Sequence, residues 1–348
     1  MTIYILNILL IGVYALIYKF KFSQSKRALK CLLTLSIAQL IALLCLKNIW
    51  IGSDMPFYWD YFYKQMPWSI QDLSAIRYEL GFKILTKFVT NWTQNKQIYL
   101  LVISTVSTIP VGYLAYKYSK KPFLTIFLYV CLGFFAFNFS GLRQAMAIGV
   151  TLVSFKYLME SKPIKFILTI CLAALFHLSA LVFLPAYFVR KVHLTNRRVA
   201  ALSILAVIVY ELKDGILSLI NRYFYQSYEI AQTNSYRWMV MCIVMVIVSL
   251  FFYNKVVAAD ERKRVLYNLC IIGAILMLFS PIAANVLRIA NYYFIYIILL
   301  IPEALDTLKY SRGKSLVLGA VIIASLGIYI YLLGIDGYST LPYKFLWQ

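Results

Sequence analysis

Five side chains stand where charge or proton transfer has a use: Asp54, Glu79, Arg143, His177 and Arg288. Guanidinium groups grip phosphate oxygens through paired hydrogen bonds, and a carboxylate or imidazole within reach of a hydroxyl can take its proton. Arg143 and His177 lie inside the otherwise apolar stretch from Phe137 to Leu184, which contains FNFSGLRQAMAIGV and, after a basic turn, LAALFHLSALVFLP. Charge at membrane depth is expensive, so both residues point to a site. Ser140 is the candidate N-cap of the helix that follows, which puts Arg143 in its first turn. That is the wrong end for a cation. A helix N-terminus carries partial positive charge, so an arginine there makes sense when an anion shares the site with the free N–H groups. The arrangement recurs in Pro281-Ile-Ala-Ala-Asn285-Val-Leu-Arg288-Ile-Ala-Asn-Tyr-Tyr-Phe294, with Asn285 as candidate cap and Arg288 one turn in.

The elements that must position these groups are apolar helices. Of the 348 residues 62% are hydrophobic and only 14% charged, and apolar runs of membrane-spanning length recur throughout, which defines a polytopic, all-α membrane protein. The net charge of +21 would suggest nucleic acid in a soluble chain, but the basic residues cluster in short loops between spans, as orientation signals do, and nucleic-acid binding is rejected. The six cysteines lie in apolar stretches without a C-x-x-C pair, so they read as small core residues and not as a metal site or disulfide framework. The run Thr2 to Tyr18 lacks a basic region before it and a small-residue cleavage site after it, and reads as a retained span.

Ten crossings are expected at about 2–18, 31–51, 98–118, 122–139, 142–159, 199–219, 236–256, 265–280, 286–304 and 315–333. The segment Ile164–Val189 is ambiguous. Five Lys/Arg in Lys19–Lys30 place that loop in the cytoplasm and the N-terminus outside. If 164–189 crossed once, the clusters Arg190/Lys191/Arg197/Arg198 and Lys255/Arg262/Lys263/Arg264 would both face outward, against the positive-inside bias. If it enters and returns as a re-entrant helical hairpin, both become cytoplasmic and the C-terminus ends outside. The hairpin is preferred, since 26 residues are too few for two spans of roughly 20 each. Its turn falls near His177, where a cavity is expected because non-helical backbone at that depth must be buried or watered.

In this topology Arg143 and Arg288 come out at the outer ends of their spans, with His177 pointing to the same side. The large loop 52–97 lies there too, carrying Asp54, Asp60, Asp72 and Glu79, and Tyr78–Trp92 reads as an amphipathic helix on the membrane surface through Leu80, Ile84, Leu85 and Phe88. The smaller outer loop Asn221–Arg237 has tyrosines suited to sugar faces. No internal repeat stands out, and residues 1–348 read as a single transmembrane domain.

At these residues the chain resembles the Wzy/EpsG-type bacterial polysaccharide polymerases. The likeness is carried by Gly52-Ser53-Asp54 followed by Tyr58, Glu79-x-Gly81-Phe82, Leu142-Arg143-Gln144-x-x-Ala147, Phe176-His177-x-Ser179-Ala180-Leu181 and Arg288-Ile-x-x-Tyr292-x-Phe294, over about Gly52 to Phe294. It implies a GT-C-like membrane glycosyltransferase that joins undecaprenyl-diphosphate-linked oligosaccharide repeat units on the outer face of the cytoplasmic membrane, building O-antigen, capsule or exopolysaccharide. It also implies roles for residues in these fragments. Arg143 and Arg288 would bind the substrate diphosphate, Asp54, Glu79 and His177 are the catalytic candidates, and Gln144, Ser179 and Tyr292 complete the site. The expected partners are lipid-linked donor and acceptor, the bilayer, a flippase and a chain-length regulator, with no cofactor, metal or nucleic acid.

Each residue also has a plainer reading. Arg143 and Arg288 could snorkel to lipid phosphates, His177 could be a hydrogen-bonded core histidine, and Asp54 and Glu79 could be solvated acids or partners of Arg77 and Lys83. His193, in the basic cytoplasmic turn, is assigned to a structural role. Tyr292 and Phe294 read as packing or interfacial aromatics, and Trp59, Trp68 and Trp92 as interface anchors. Two rival functions remain open: a flippase or transporter of the same lipid-linked sugars, which should show inverted repeats and ionisable groups near the midplane, and a ligase-like transferase using a different acceptor.

Overall fold

The computed structural model of the protein describes residues 1–65, 78–212, 215, 218, 235–281, 284–308 and 312–348. The regular elements among them are all helical. Backbone contacts divide the chain into two compact units, one formed by Met1–Leu184 with Leu308–Gln348 and the other by Pro185–Thr307.

In the first unit the helices are α1 (Thr2–Lys21), α2 (Lys26–Cys45), α3 (Met55–Gln65), α4 (Leu80–Trp92), α5 (Lys96–Tyr118), α6 (Pro122–Cys131), α7 (Phe134–Phe137), α8 (Leu142–Met159) and α9 (Pro163–Ala174). A 3-10 helix, Leu178–Phe183, follows α9, and the long C-terminal helix Arg312–Ile335 returns to this unit. Their starts are written locally: Ser25 accepts from Ala28 N, Asn95 accepts from Gln97 N and Ile98 N, and prolines occupy the first positions of α6 and α9. Small residues let α5 and α8 touch through their backbones, since a Cβ on Gly149 would lie 2.6 Å from the Val106 carbonyl. Around α3 and α4 a core of rings forms from Trp59, Phe62, Tyr61, Tyr78, Phe82 and Tyr99, with centroids 4.4–6.2 Å apart. Such pairs add about 0.5–1.5 kcal/mol each beyond burial.

The second unit holds α10 (Ala186–Val189), α11 (Asn196–Glu211), α12 (Tyr236–Leu250), α13 (Tyr253–Ala259), the 3-10 turn Glu261–Lys263, α14 (Arg264–Met277), α15 (Ala284–Phe294) and α16 (Ile297–Asp306). A Cβ on Gly273 would meet Phe294 N at 2.7 Å, so α14 and α15 pack in close contact. Tyr292 and Phe294 are fully buried there.

Among the described residues five helices are long and apolar enough to cross a membrane: Thr2–Lys21, Lys26–Cys45, Lys96–Tyr118, Asn285–Asp306 and Arg312–Ile335. The pair α12/α13, bent by 59°, is a sixth if it forms one span. The protein is thus a membrane protein, with several expected spans interrupted. The run 122–139 breaks because Gly133 adopts φ +80°, and the Asn138 amide then donates to Phe134 O, Phe135 O and Tyr129 Oη. The ambiguous segment does reverse on itself. After α9, 12 residues or about 18 Å long, the chain turns at 175–177, and the 3-10 helix returns so that the Phe183 ring lies 6.0 Å from Phe166.

The amphipathic helix is present as α4, with Leu80, Ile84, Phe88 and Trp92 exposed in one stripe while Phe82, Thr86 and Val89 face inward. Trp59, by contrast, is no interface anchor: it is buried and its indole N–H donates to Ile49 O at 2.5 Å. Cys31 and Cys171 are exposed, unlike the other four cysteines. Asp72, Trp68, Arg77 and nearly all of the loop 221–237 lie outside the described residues.

Candidate functional site

At one end of the first unit, three chain segments distant in sequence meet. The first is Gly52-Ser53-Asp54. Gly52 has φ +116°, and a Cβ there would stand 2.0 Å from Phe139 O, so only glycine allows this backbone to lie against the α7–α8 turn. Ser53 Oγ and Ser140 Oγ are 2.7 Å apart, and Asp54 N donates to Ser140 Oγ at 3.2 Å. Ser140 therefore does not cap α8 as expected. Gly141 takes that position without a side-chain bond; a Cβ there would strike the Phe137 ring at 2.4 Å, and the Ser140 hydroxyl tethers the loop.

The second segment is Glu79-x-Gly81-Phe82. A Cβ on Gly81 would lie 2.8 Å from Leu175 Cβ, and the amides of Gly81 and Phe82 both donate to Leu175 O. This docks the start of α4 on the end of α9 and aims the Glu79 carboxylate between two partners. Oε2 accepts from Arg143 Nη1 at 2.5 Å, and Oε1 accepts from Leu178 N at 3.2 Å. The paired acid supplies the negative charge that a first-turn arginine lacks.

The third segment is the hairpin turn. His177 caps the 3-10 helix: its Nδ1 accepts from Ser179 N at 3.3 Å and lies 2.8 Å from Ser179 Oγ and 4.0 Å from Glu79 Oε1. With Nδ1 an acceptor, the neutral ring carries its proton on Nε2. Arg143 completes the group. Its guanidinium lies 4.4 Å from the Tyr78 ring centre and its backbone N–H donates to Tyr58 Oη, while Nε is buried with no acceptor among the described residues. Burial pushes the Tyr58 phenol above its ordinary value despite the Arg143 charge beside it, so it stays protonated.

Asp54, Glu79, Arg143, His177 and Ser179 are thus brought to one end of one unit, with Gln144 buried beside Arg143 along α8. Arg288 and Tyr292 belong to the second unit. There α15 begins at Ala284, so Asn285 lies within the first turn instead of capping it, and Arg288 follows one turn on. The arrangement in the first unit can hold an anion on Arg143 with carboxylates nearby to take a proton.

Two contributors were not read from the sequence. Tyr78 covers the guanidinium. Lys47, fully buried, donates to Ile51 O at 2.6 Å and Phe139 O at 2.7 Å and so ties the loop to the turn before α8. Burial pulls its ammonium down to about 7. A lysine inside an expected span was a usable signal for it.

An arginine–carboxylate–histidine cluster at one end of the first unit of an all-helical membrane protein has the chemistry to meet an anionic substrate. The EpsG family model matches residues 30–345, and the chain belongs to that family, which is one of Wzy-type polymerases. Membership points to a polysaccharide polymerase-like function of glycosyltransferase type. No curated protein and no solved structure matches the chain.

Proposed function

We propose that the protein polymerises undecaprenyl-diphosphate-linked oligosaccharide units into a surface polysaccharide at the outer face of the cytoplasmic membrane. A hydroxyl of the incoming unit attacks the anomeric carbon of the growing chain. The new glycosidic C–O bond forms as the anomeric C–O bond to diphosphate breaks, its electron pair leaving on the diphosphate, and the hydroxyl proton passes to a carboxylate. Arg143 receives the diphosphate and stabilises the charge that develops on it. Glu79 or Asp54 takes the proton, and His177 orients.

The observation that carries this reading is Arg143 itself. It is held over Tyr78 and paired at Nη1 with Glu79, yet its buried Nε has no acceptor among the described residues. A buried donor left open costs about 1–3 kcal/mol, and a bound anion is one way to recover that cost. An arriving diphosphate would meet Nε and displace Glu79 from Nη1, freeing the carboxylate beside the reacting hydroxyl. Incubating the purified protein with its lipid-linked repeat unit should give a ladder of longer products. Transfer of the glycan to another acceptor without a ladder would favour the ligase reading, and movement of intact lipid across a vesicle the flippase reading.

A further inference from the structure

The C-terminal segment after helix Arg312–Ile335 is folded onto the site loop by one carboxylate. Asp336 itself sits at φ +46° and accepts three hydrogen bonds: Oδ1 from Thr340 N at 2.6 Å and Thr340 Oγ1 at 2.7 Å, and Oδ2 from Leu341 N at 3.0 Å. This closes 336–341 into a compact turn whose outward carbonyls meet the loop. Tyr338 O accepts from Ser53 N and Ser339 O accepts from Gly52 N, each at 3.1 Å. The rest of the tail runs antiparallel to the end of α2, through Asn48 N to Lys344 O, Leu346 N to Leu46 O and a bridge between Lys47 and Phe345. It is pinned further by Tyr4 Oη donating to Thr340 O and Tyr343 Oη donating to Leu43 O.

The loop held in this way leads straight to the cluster. Gly52 and Ser53 give both amides to the tail, so Ser53 Oγ and Asp54 N are left to meet Ser140. Asp54 then begins the turn into α3, which carries Tyr58 to the backbone of Arg143. We propose that Asp336 is a positioning residue: it folds the C-terminal tail into a clasp that fixes Gly52–Asp54, and through them Tyr58, against Ser140 and Arg143. The clasp serves the reaction only if the function proposed above holds.

The test compares the full-length protein with Asp336→Ala and Asp336→Asn by amide hydrogen exchange and by product ladder. Asp336→Ala should speed exchange at the Gly52 and Ser53 amides by about tenfold or more while α5 and α8 keep their protection. It should slow ladder formation by about 10- to 100-fold, as small misplacement of reacting groups does, with the affinity for undecaprenyl diphosphate little changed. Asp336→Asn keeps the acceptor for Thr340 and loses the one for Leu341, so it should fall between. Unchanged exchange at Gly52 and Ser53, or faster exchange with a normal ladder, overturns the clasp, as does a uniform loss of protection across the unit. If the wild-type protein makes no ladder, the proposed function falls, and exchange alone then judges whether Asp336 holds the loop.

Discussion

Arg143 and Arg264 start from the same inventory, an arginine in the first turn of an apolar helix with a glutamate and a histidine nearby, and the two regions use it differently. Arg264 has a partner at each of its three guanidinium nitrogens. Its Nε donates to Glu261 O, Nη1 to Lys191 O and His193 Nε2, and Nη2 pairs with the Glu261 carboxylate three residues back. One helical turn on, Asn268 Nδ2 donates to Val189 O and Val192 O, so this face of α14 simply knots the 189–194 turn. Arg143 instead takes its glutamate from another segment 64 residues away, and its Nε has no acceptor among the described residues. The difference lies in hydrogen-bond satisfaction and not in residue type: the Arg264 guanidinium braces a turn, and the proposed function gives the Nε of Arg143 a diphosphate to meet.

The contrast breaks most sharply at the arginines themselves. Arg143→Lys keeps the charge but loses the planar fork and should lower ladder formation by about 100-fold, since one point-like ammonium cannot serve both Glu79 and a diphosphate. Next in size is Glu79→Gln, expected to cut turnover by about 30-fold while undecaprenyl diphosphate binds as well or better, because the amide releases Nη1 but takes no proton. Loss of binding in Glu79→Gln would make the acid a scaffold and sink its displacement by substrate. Arg264→Ala should do the reverse of Arg143→Lys. Normal polymerisation per folded molecule is expected, with stability lowered by about 2 kcal/mol in detergent melts, as for other buried polar groups that lose their partners.

How much of this was legible follows from the range of each interaction. The apolar helices and the amphipathic helix are local patterns, and the reversal at 164–189 follows from the distribution of basic clusters along the chain. Arg143 and His177 could be nominated from charge in apolar surroundings, and Glu79 from its place in the outer loop and in the Glu79-x-Gly81-Phe82 fragment. Their pairing could not, because it depends on Gly81 docking against Leu175, a contact between segments with no shared pattern. The Ser140 cap failed for a related reason: its hydroxyl is taken by Ser53 and Asp54, contacts across 87 and 86 residues of chain. The tail clasp lies beyond any local signal.

Lys47 offers a weaker contrast with the arginines, through pH. The unfolded chain keeps the Lys47 proton up to the ordinary value of 10.5, whereas the folded chain releases it at about 7. Between those values the unfolded state binds more protons, so stability rises with pH across that window, and below about 7 the penalty of burying the charge is fully present. Lys47→Met should flatten this rise, which is at most about 1.4 kcal/mol per pH unit. Melting temperatures of the two proteins measured from pH 7 to pH 10 would diverge if so, and parallel curves would show that Lys47 does not titrate there.

The smallest effect is expected at His177, and it separates orientation from proton transfer. The ring uses Nδ1 to cap the 3-10 helix through Ser179 N, and that bond places the Leu178 amide against Glu79 Oε1. Asparagine reproduces an acceptor at the Nδ1 position and is a strong capping residue, whereas glutamine reaches the position of Nε2 and caps poorly. If capping is the role, His177→Asn should keep polymerisation within about threefold of wild type and His177→Gln should lose more, near the 1 kcal/mol that a cap is worth. If Nε2 instead exchanges a proton with substrate, both variants fail together, because neither amide accepts a proton at useful pH. The ranking of the two variants decides, since a shared collapse would move His177 from the frame of the site into its chemistry and leave Glu79 as the partner that orients it.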